Sequence, residues 1–336
     1  MVTLRAYSAP SCEEALAHTL LEGSFVALLT PFNRDESVDF EGFRTLLDFQ
    51  RAHGSSAVLF MGSTGEASML ATEEKMEIVS RTVKMRRGAM QLWYGATGNN
   101  TANTIKQVKH ASAEGADGIV VTIPSYVVPS EDEAVRFFLD VADASSLPVG
   151  IYNNPTRVKT DLSAAAMIRI ADHPNIALLK EATARGDQIG RIARANKHLS
   201  IMCCDSPNLG LSMQVMALGG HGTANMGGNI IPAEMATISR KWRSFADAEN
   251  FRETYLRVLP LLHFHYSAIN PVAVKSLARA LGLPAGPFRK PLLGLPEERL
   301  KAGIEIVREL GLDKKYGYSL DGDKARVISL PASAAE

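Results

Sequence analysis

Ile176-Ala177-Leu178-Leu179-Lys180-Glu181-Ala182-Thr183 is the stretch on which the reading of this chain turns. An unbroken apolar run of this length reads as a strand covered on both faces, and it ends in a lysine. Desolvation disfavours a charged amine, and a neutral amine is a nucleophile able to form a Schiff base with a carbonyl. Taken alone, a lysine at a strand end can also lay its stem along apolar surface and send its amine into water. Two further runs change that weighting. Val149-Gly150-Ile151-Tyr152 ends in a phenol and continues into Asn153-Asn154-Pro155-Thr156-Arg157. Ala57-Val58-Leu59-Phe60-Met61 runs into Gly62-Ser63-Thr64-Gly65-Glu66, which brings hydroxyls to a third strand end.

Working outward, runs of the same kind begin near Phe25, Ser56, Gln91, Gly118, Pro148, Ile176, Leu199 and His221. Helix-length segments separate them. Glu41 to Phe49 is amphipathic, and so is the segment opened by Thr72-Glu73-Glu74-Lys75, where Thr72 reads as an N-cap. Eight strand-plus-helix units predict a (β/α)₈ TIM barrel, not an open doubly wound sheet. The eighth run, His221-Gly222-Thr223-Ala224-Asn225, is polar and glycine-rich, and propensity alone does not make it a strand. From Pro232 to about Leu312 the pattern reads as helical throughout, more helix than one barrel unit requires. The expected organisation is an N-terminal extension over 1–23, the barrel over 24–245, a small C-terminal helical domain over 246–312 and a polar tail over 313–336.

Composition narrows the partners. Lys+Arg and Asp+Glu stand at 36 each, so no global field draws nucleic acid or an anionic membrane. No apolar stretch is long enough to span a bilayer, and Glu13 and Glu14 argue against a transit peptide, which leaves a cytoplasmic protein as the expectation. Cys12, Cys203 and Cys204 form neither a disulfide framework nor a metal-ligand spacing, and the latter two read as buried, reduced thiols. His263 and His265 fall in the helical C-terminal part, and His221 reads as a structural histidine. The Gly219-Gly220-His221-Gly222 stretch fits neither a P-loop nor a dinucleotide fingerprint. The expectation is therefore no metal and no organic cofactor.

In a barrel the active site lies at the C-terminal ends of the strands. Strands five and six are neighbours, so Tyr152 and Lys180 are expected to project side by side, as proton donor and amine for carbinolamine dehydration. Arg157 offers a bidentate fork to a carboxylate. Ser63 and Thr64 offer hydroxyls and backbone N–H groups to a second carboxylate near a helix N-terminus. Singly these are a packing tyrosine, a surface charge and a helix-capping turn. Their occurrence together at strand ends is what makes a site.

With those residues in place, the set resembles the dihydrodipicolinate synthase / N-acetylneuraminate lyase family of Schiff-base class I aldolases. The likeness runs from about Gly23 to Leu312 through Ala27-Leu28-Leu29-Thr30-Pro31-Phe32, the Gly62–Glu66 turn, Thr72–Lys75, Tyr152–Arg157 and Leu179–Thr183. Asn270-Pro271-Val272-Ala273-Val274-Lys275 and Arg289-Lys290-Pro291-Leu292 resemble the family's C-terminal part. The resemblance implies that Lys180 forms an imine with pyruvate or another 2-oxo acid, that Tyr152 relays protons, and that Thr64 links it to Tyr126. It implies that Tyr126 reaches across from a neighbouring subunit of a homotetramer built as a dimer of dimers. It further implies that Ser63 and Thr64 hold the pyruvate carboxylate and Arg157 that of aspartate semialdehyde. The eighth run, Ala224 included, is implied to lie beside the bound 2-oxo acid.

The chain departs from the family in Ser125, where many synthases carry a second tyrosine, and in the polar eighth-strand segment. Both termini are also longer than usual. Within the resemblance the synthase reaction stands first. Cleavage or dehydration of another hydroxy-2-oxo acid by the same imine stands second. A silent relative that only binds a 2-oxo acid stands third, disfavoured by the intact Lys180, Tyr152 and Thr64.

Overall fold

The computed structural model describes residues 20–195 and 198–320. The N-terminal extension up to residue 19 and the last sixteen residues of the expected tail lie outside the described residues. Eight strands form one closed parallel barrel: β1 (Gly23–Ala27), β2 (Ala57–Phe60), β3 (Gln91–Gly95), β4 (Gly118–Val121), β5 (Val149–Asn153), β6 (Ile176–Glu181), β7 (Ser200–Cys203) and β8 (Gly222–Asn225). Each begins within two residues of the run predicted for it. Closure is made by β8 pairing with β1, Ala224 opposite Phe25.

Strand periodicity divides the core in two. Inside the barrel Phe25, Leu59, Trp93, Val120, Leu178, Met202 and Ala224 form one cluster, with Tyr152 packed against it. Outside, a much larger cluster fills the layer between strands and helices. Leu178 belongs to the inner cluster, so Lys180, two residues on, points the same way into the barrel mouth.

β8 overturns the expectation from propensity. All four of its residues are buried, and its polar side chains are paired. Asn225 Nδ2 donates to Ser24 Oγ at 2.9 Å, and the hydroxyls of Thr223 and Ser239 lie 2.6 Å apart. A Cβ on Gly222 would come within 2.1 Å of the Gly23 carbonyl oxygen, so glycine here permits the closing strand to approach β1. Tertiary closure decides this segment over local preference.

Thr72 is the first residue of its helix, not the cap. Ala71 holds the cap position, and its N–H donates to the Glu74 carboxylate at 2.9 Å. The C-terminal part contains the helices Pro232–Ile238, Phe245–His265, Val272–Ala280, Glu297–Glu309 and Leu312–Tyr316. Residues 281–296 are not helical, against the reading of a continuous helical pattern. Pro284, Pro287, Pro291 and Pro296 remove the donors a helix needs there. This segment returns to the barrel instead, where the Phe32 N–H donates to the Ala285 carbonyl. Packing continues past Leu312: Tyr316 and Tyr318 are buried, and their hydroxyls donate to Glu234 and to the Ile230 carbonyl.

Candidate active site

Lys180 and Tyr152 are register partners on β6 and β5. The Lys180 Nζ lies 4.1 Å from the centroid of the Tyr152 ring. The next residues along, Asn153 and Glu181, are also partners and face the opposite side. Asn153 Nδ2 donates to both Glu181 oxygens at 3.2 Å, and the Ala182 N–H donates to Glu181 at 2.9 Å. The strand pair is thus clamped immediately behind the two reactive groups. Burial pushes the Glu181 carboxyl up, countered by its hydrogen bonds to Asn153, Thr183 and Ala182. Burial also raises the Tyr152 phenol, and the Lys180 amine works against that rise. Asn154 Nδ2 donates to the phenol oxygen at 2.6 Å, which leaves the phenol proton to point elsewhere.

The turn after β2 is tightly specified. Met61 and Glu66 both take left-handed backbone, with φ of 54° and 57°. A Cβ on Gly65 would sit 3.1 Å from the Leu28 carbonyl oxygen. The turn leads into a single 3₁₀ turn, Ala67–Met69, before the helix that starts at Thr72. Glu66 is fully buried against Lys275, which also donates to the Thr30 carbonyl at 3.0 Å. Burial pushes the Lys275 amine down to about 8, with Glu66 pulling it back. Thr64 is buried, and its hydroxyl oxygen accepts from Asn270 Nδ2 at 3.1 Å.

Arg157 sits in the short helix Pro155–Val158, exposed, and donates to the Asn270 carbonyl at 2.9 Å. Ala224 is buried in the inner cluster on β8. Tyr126 is not brought to the others: it is 98% exposed, in left-handed backbone at φ 78°. Within one chain, therefore, Thr64 makes its bond to Asn270 and does not connect Tyr152 to Tyr126.

Four residues at this mouth escaped the sequence reading of the site. Cys204 follows Met202 by two residues and shares its inward face, and its N–H continues the ladder to the Glu181 carbonyl. Burial raises its thiol to about 11, and Lys180 is the largest influence against that. Asp205 is buried, accepts from the Met226 and Gly227 N–H groups, and accepts the Tyr266 hydroxyl at 2.6 Å. Burial pushes the Asp205 carboxyl up, opposed first by Tyr266. Asn270 is the fourth. The signal for Cys204 was the same period-two count that placed Lys180; Asp205, Tyr266 and Asn270 act through contacts between distant segments. His221 takes the structural role expected, accepting the Ile201 N–H at 3.1 Å. Among the described residues no group of three or more His, Cys, Asp or Glu is placed to hold a metal ion, and no helix is long and apolar enough to cross a membrane.

Fold and mouth together define the class, a (β/α)₈-barrel enzyme with reactive groups on its strand ends. The sequence pattern described as "Dihydrodipicolinate synthetase family" matches residues 20–310. A 4-hydroxy-tetrahydrodipicolinate synthase of Gluconacetobacter diazotrophicus is 36% identical over 88% of this chain and 98% of its own length. One from Bacillus velezensis is 32% identical over 84% and 97%. Among solved structures, dihydrodipicolinate synthase from Aquifex aeolicus superposes with a TM-score of 0.81 at 30% identity, covering 87% of this chain and 98% of that one. The Cyanidioschyzon merolae enzyme with lysine bound gives 0.82 at 28%, over 88% and 100%. The chain belongs to the dihydrodipicolinate synthetase family.

Proposed function

We propose that this chain is a 4-hydroxy-tetrahydrodipicolinate synthase-type lyase that condenses pyruvate with aspartate semialdehyde through an imine on Lys180. Family membership and the name its relatives share support the reaction. The observation that carries the mechanism is the amine of Lys180 lying against the Tyr152 ring, on adjacent strands and in register.

The Lys180 nitrogen adds to the C2 carbonyl of pyruvate to give a carbinolamine. The Tyr152 phenol protonates its hydroxyl, water leaves and an iminium remains. Loss of a C3 proton yields the enamine, whose carbon attacks the aldehyde carbon of the second substrate. The aldehyde oxygen takes a proton and becomes the 4-hydroxyl. The amine of the second substrate then displaces Lys180 from C2, closing the ring and returning the lysine. Ser63 and Thr64 hold the pyruvate carboxylate, Ala224 lines the pocket beside it, and Arg157 takes the carboxylate of the semialdehyde. Tyr126 projects from the chain and enters the site of a neighbouring subunit in a homotetramer made as a dimer of dimers. The enzyme works in the cytoplasm.

Borohydride reduction in the presence of pyruvate, followed by peptide mass spectrometry, tests the imine. The expected result is a reduced pyruvyl adduct on Lys180, absent in a folded Lys180→Ala chain whose turnover is abolished. A Lys180→Ala chain with full activity refutes the mechanism. Offering aspartate semialdehyde with pyruvate, and separately longer hydroxy-oxo acids, to unreduced enzyme and following pyruvate turnover identifies the true substrate.

A further inference from the structure

Asn270 stands between the two groups assigned to carboxylates, and it touches both. Its side-chain Nδ2 donates to Thr64 Oγ1 at 3.1 Å, and its main-chain carbonyl accepts from Arg157 Nη2 at 2.9 Å. The residue is not on a loose loop. The helix Val272–Ala280 follows almost at once, and that helix is tied to the same turn by the buried pair Lys275–Glu66. The Arg289 N–H, donating to Glu66 at 2.9 Å, adds a second tie.

The direction of the first bond matters. A threonine hydroxyl has one proton to give. When its oxygen accepts from Asn270, that proton stays available to a substrate carboxylate, which can only accept. The second bond acts on an exposed side chain. Arg157 is free to wander over the surface except where the Asn270 carbonyl holds one of its nitrogens, and its remaining donors then point in a fixed direction.

We propose that Asn270 is a positioning residue that sets the donor sense of Thr64 and aims Arg157, so that the two carboxylate-holding groups keep one fixed relation. This rests on the roles given to Thr64 and Arg157 under the proposed function.

The test measures the pyruvate concentration that half-saturates borohydride trapping on Lys180, which requires no acceptor aldehyde. Asn270→Asp keeps the shape of the side chain but can only accept. Thr64 then donates to the aspartate and turns a lone pair toward the substrate. Half-saturating pyruvate should rise about tenfold or more, with the maximal extent of trapping unchanged. Asn270→Ala should raise it less. Thr64→Val combined with Asn270→Ala should be no worse than Thr64→Val alone, because the amide acts only through that hydroxyl. A purely structural asparagine predicts additive losses and no difference between the two substitutions. Folded Asn270→Asp protein with half-saturation within about twofold of the parent overturns the role. So does full additivity with Thr64→Val. If Asn270→Ala does not fold, the aspartate isostere alone decides. A parent chain that traps no 2-oxo acid refutes the Schiff-base reading, and this role with it.

Discussion

After β8 the chain turns through Met226–Asn229 wholly below the surface, its N–H groups taken by Asp205 and Asn225, while Asn229 reaches back to Leu29 and Ala27 on the first strand's side. After β4 the chain leaves the same end of the barrel and runs into solvent. Tyr126, Val127 and Val128 are 98%, 64% and 52% exposed, and two of the three have left-handed backbone. One loop is completed by the chain's own side chains, and the other holds apolar groups out in a strained conformation that no described residue covers. Such exposed apolar groups are surface that a contact outside the chain could cover. A barrel mouth can thus be finished on one side and left open for completion on the other.

The difference can be broken by substitution. The largest expected effect is on the closed side. Asp205→Ala leaves two N–H groups and the Tyr266 hydroxyl without their acceptor in a buried site. A loss of about 3 kcal/mol or more in unfolding free energy is expected from denaturant melts. A loss under about 0.5 kcal/mol would show that the β8 loop holds itself.

On the open side stability should hardly change while activity does. Tyr126→Phe is expected to lower kcat/KM by about 10²-fold with an unaltered melting temperature. Mixing Tyr126→Phe chains with Lys180→Ala chains should restore part of the activity, since each supplies what the other lacks. Mixtures as inactive as their parts would confine Tyr126 to its own chain.

The helix Phe245–His265, whose C-cap is Tyr266, ends on the closed side in His265, which is fully buried. Burial pushes its imidazole from the usual 6.5 down to about 3. Between those values the unfolded chain binds a proton that the folded chain refuses. The contribution is therefore complete above pH 6.5 and is lost as the pH falls toward 3. By pH 5 the loss amounts to about 2 kcal/mol. Chemical denaturation of His265→Leu across pH 7 to 4 should show a shallower decline than the parent, and parallel curves would remove His265 from the acid limb. The smallest effect belongs to Val127→Ser, expected to shift the stability of the single chain by less than about 0.5 kcal/mol.

The two sides also differ in how far the sequence reveals them. Seven strands announce themselves as apolar runs, because a parallel strand covered on both faces has no polar positions to spare. β8 does not, since its Thr223 and Asn225 are satisfied by Ser239 and Ser24, residues far away along the chain or across the closure. Lys180 and Tyr152 were legible because strand number and period two fix both neighbour and face. The 281–296 segment departs from the continuous helical reading because Pro284, Pro287, Pro291 and Pro296 lack the donors a helix requires. In the sequence Asn270 stands out only as part of the Asn270–Lys275 motif. Its reach to Thr64 spans 206 residues of sequence, and no local pattern encodes such a contact. Tyr126 was legible as a residue, while its exposure came from backbone geometry that a Ser-Tyr-Val-Val stretch does not announce.

The in-register pairing of Tyr152 with Lys180 has a consequence for redesign. Each strand of a closed sheet is held on both flanks, so neither β5 nor β6 can shift by a residue without unzipping its other neighbour. The amine and phenol are therefore aligned by the scaffold and not by the segments that follow them. Grafting foreign loops onto these strand ends should keep the amine and the phenol aligned beneath whatever the new loops enclose. A library seeking other aldehydes can leave both strands untouched and confine its variation to the rim.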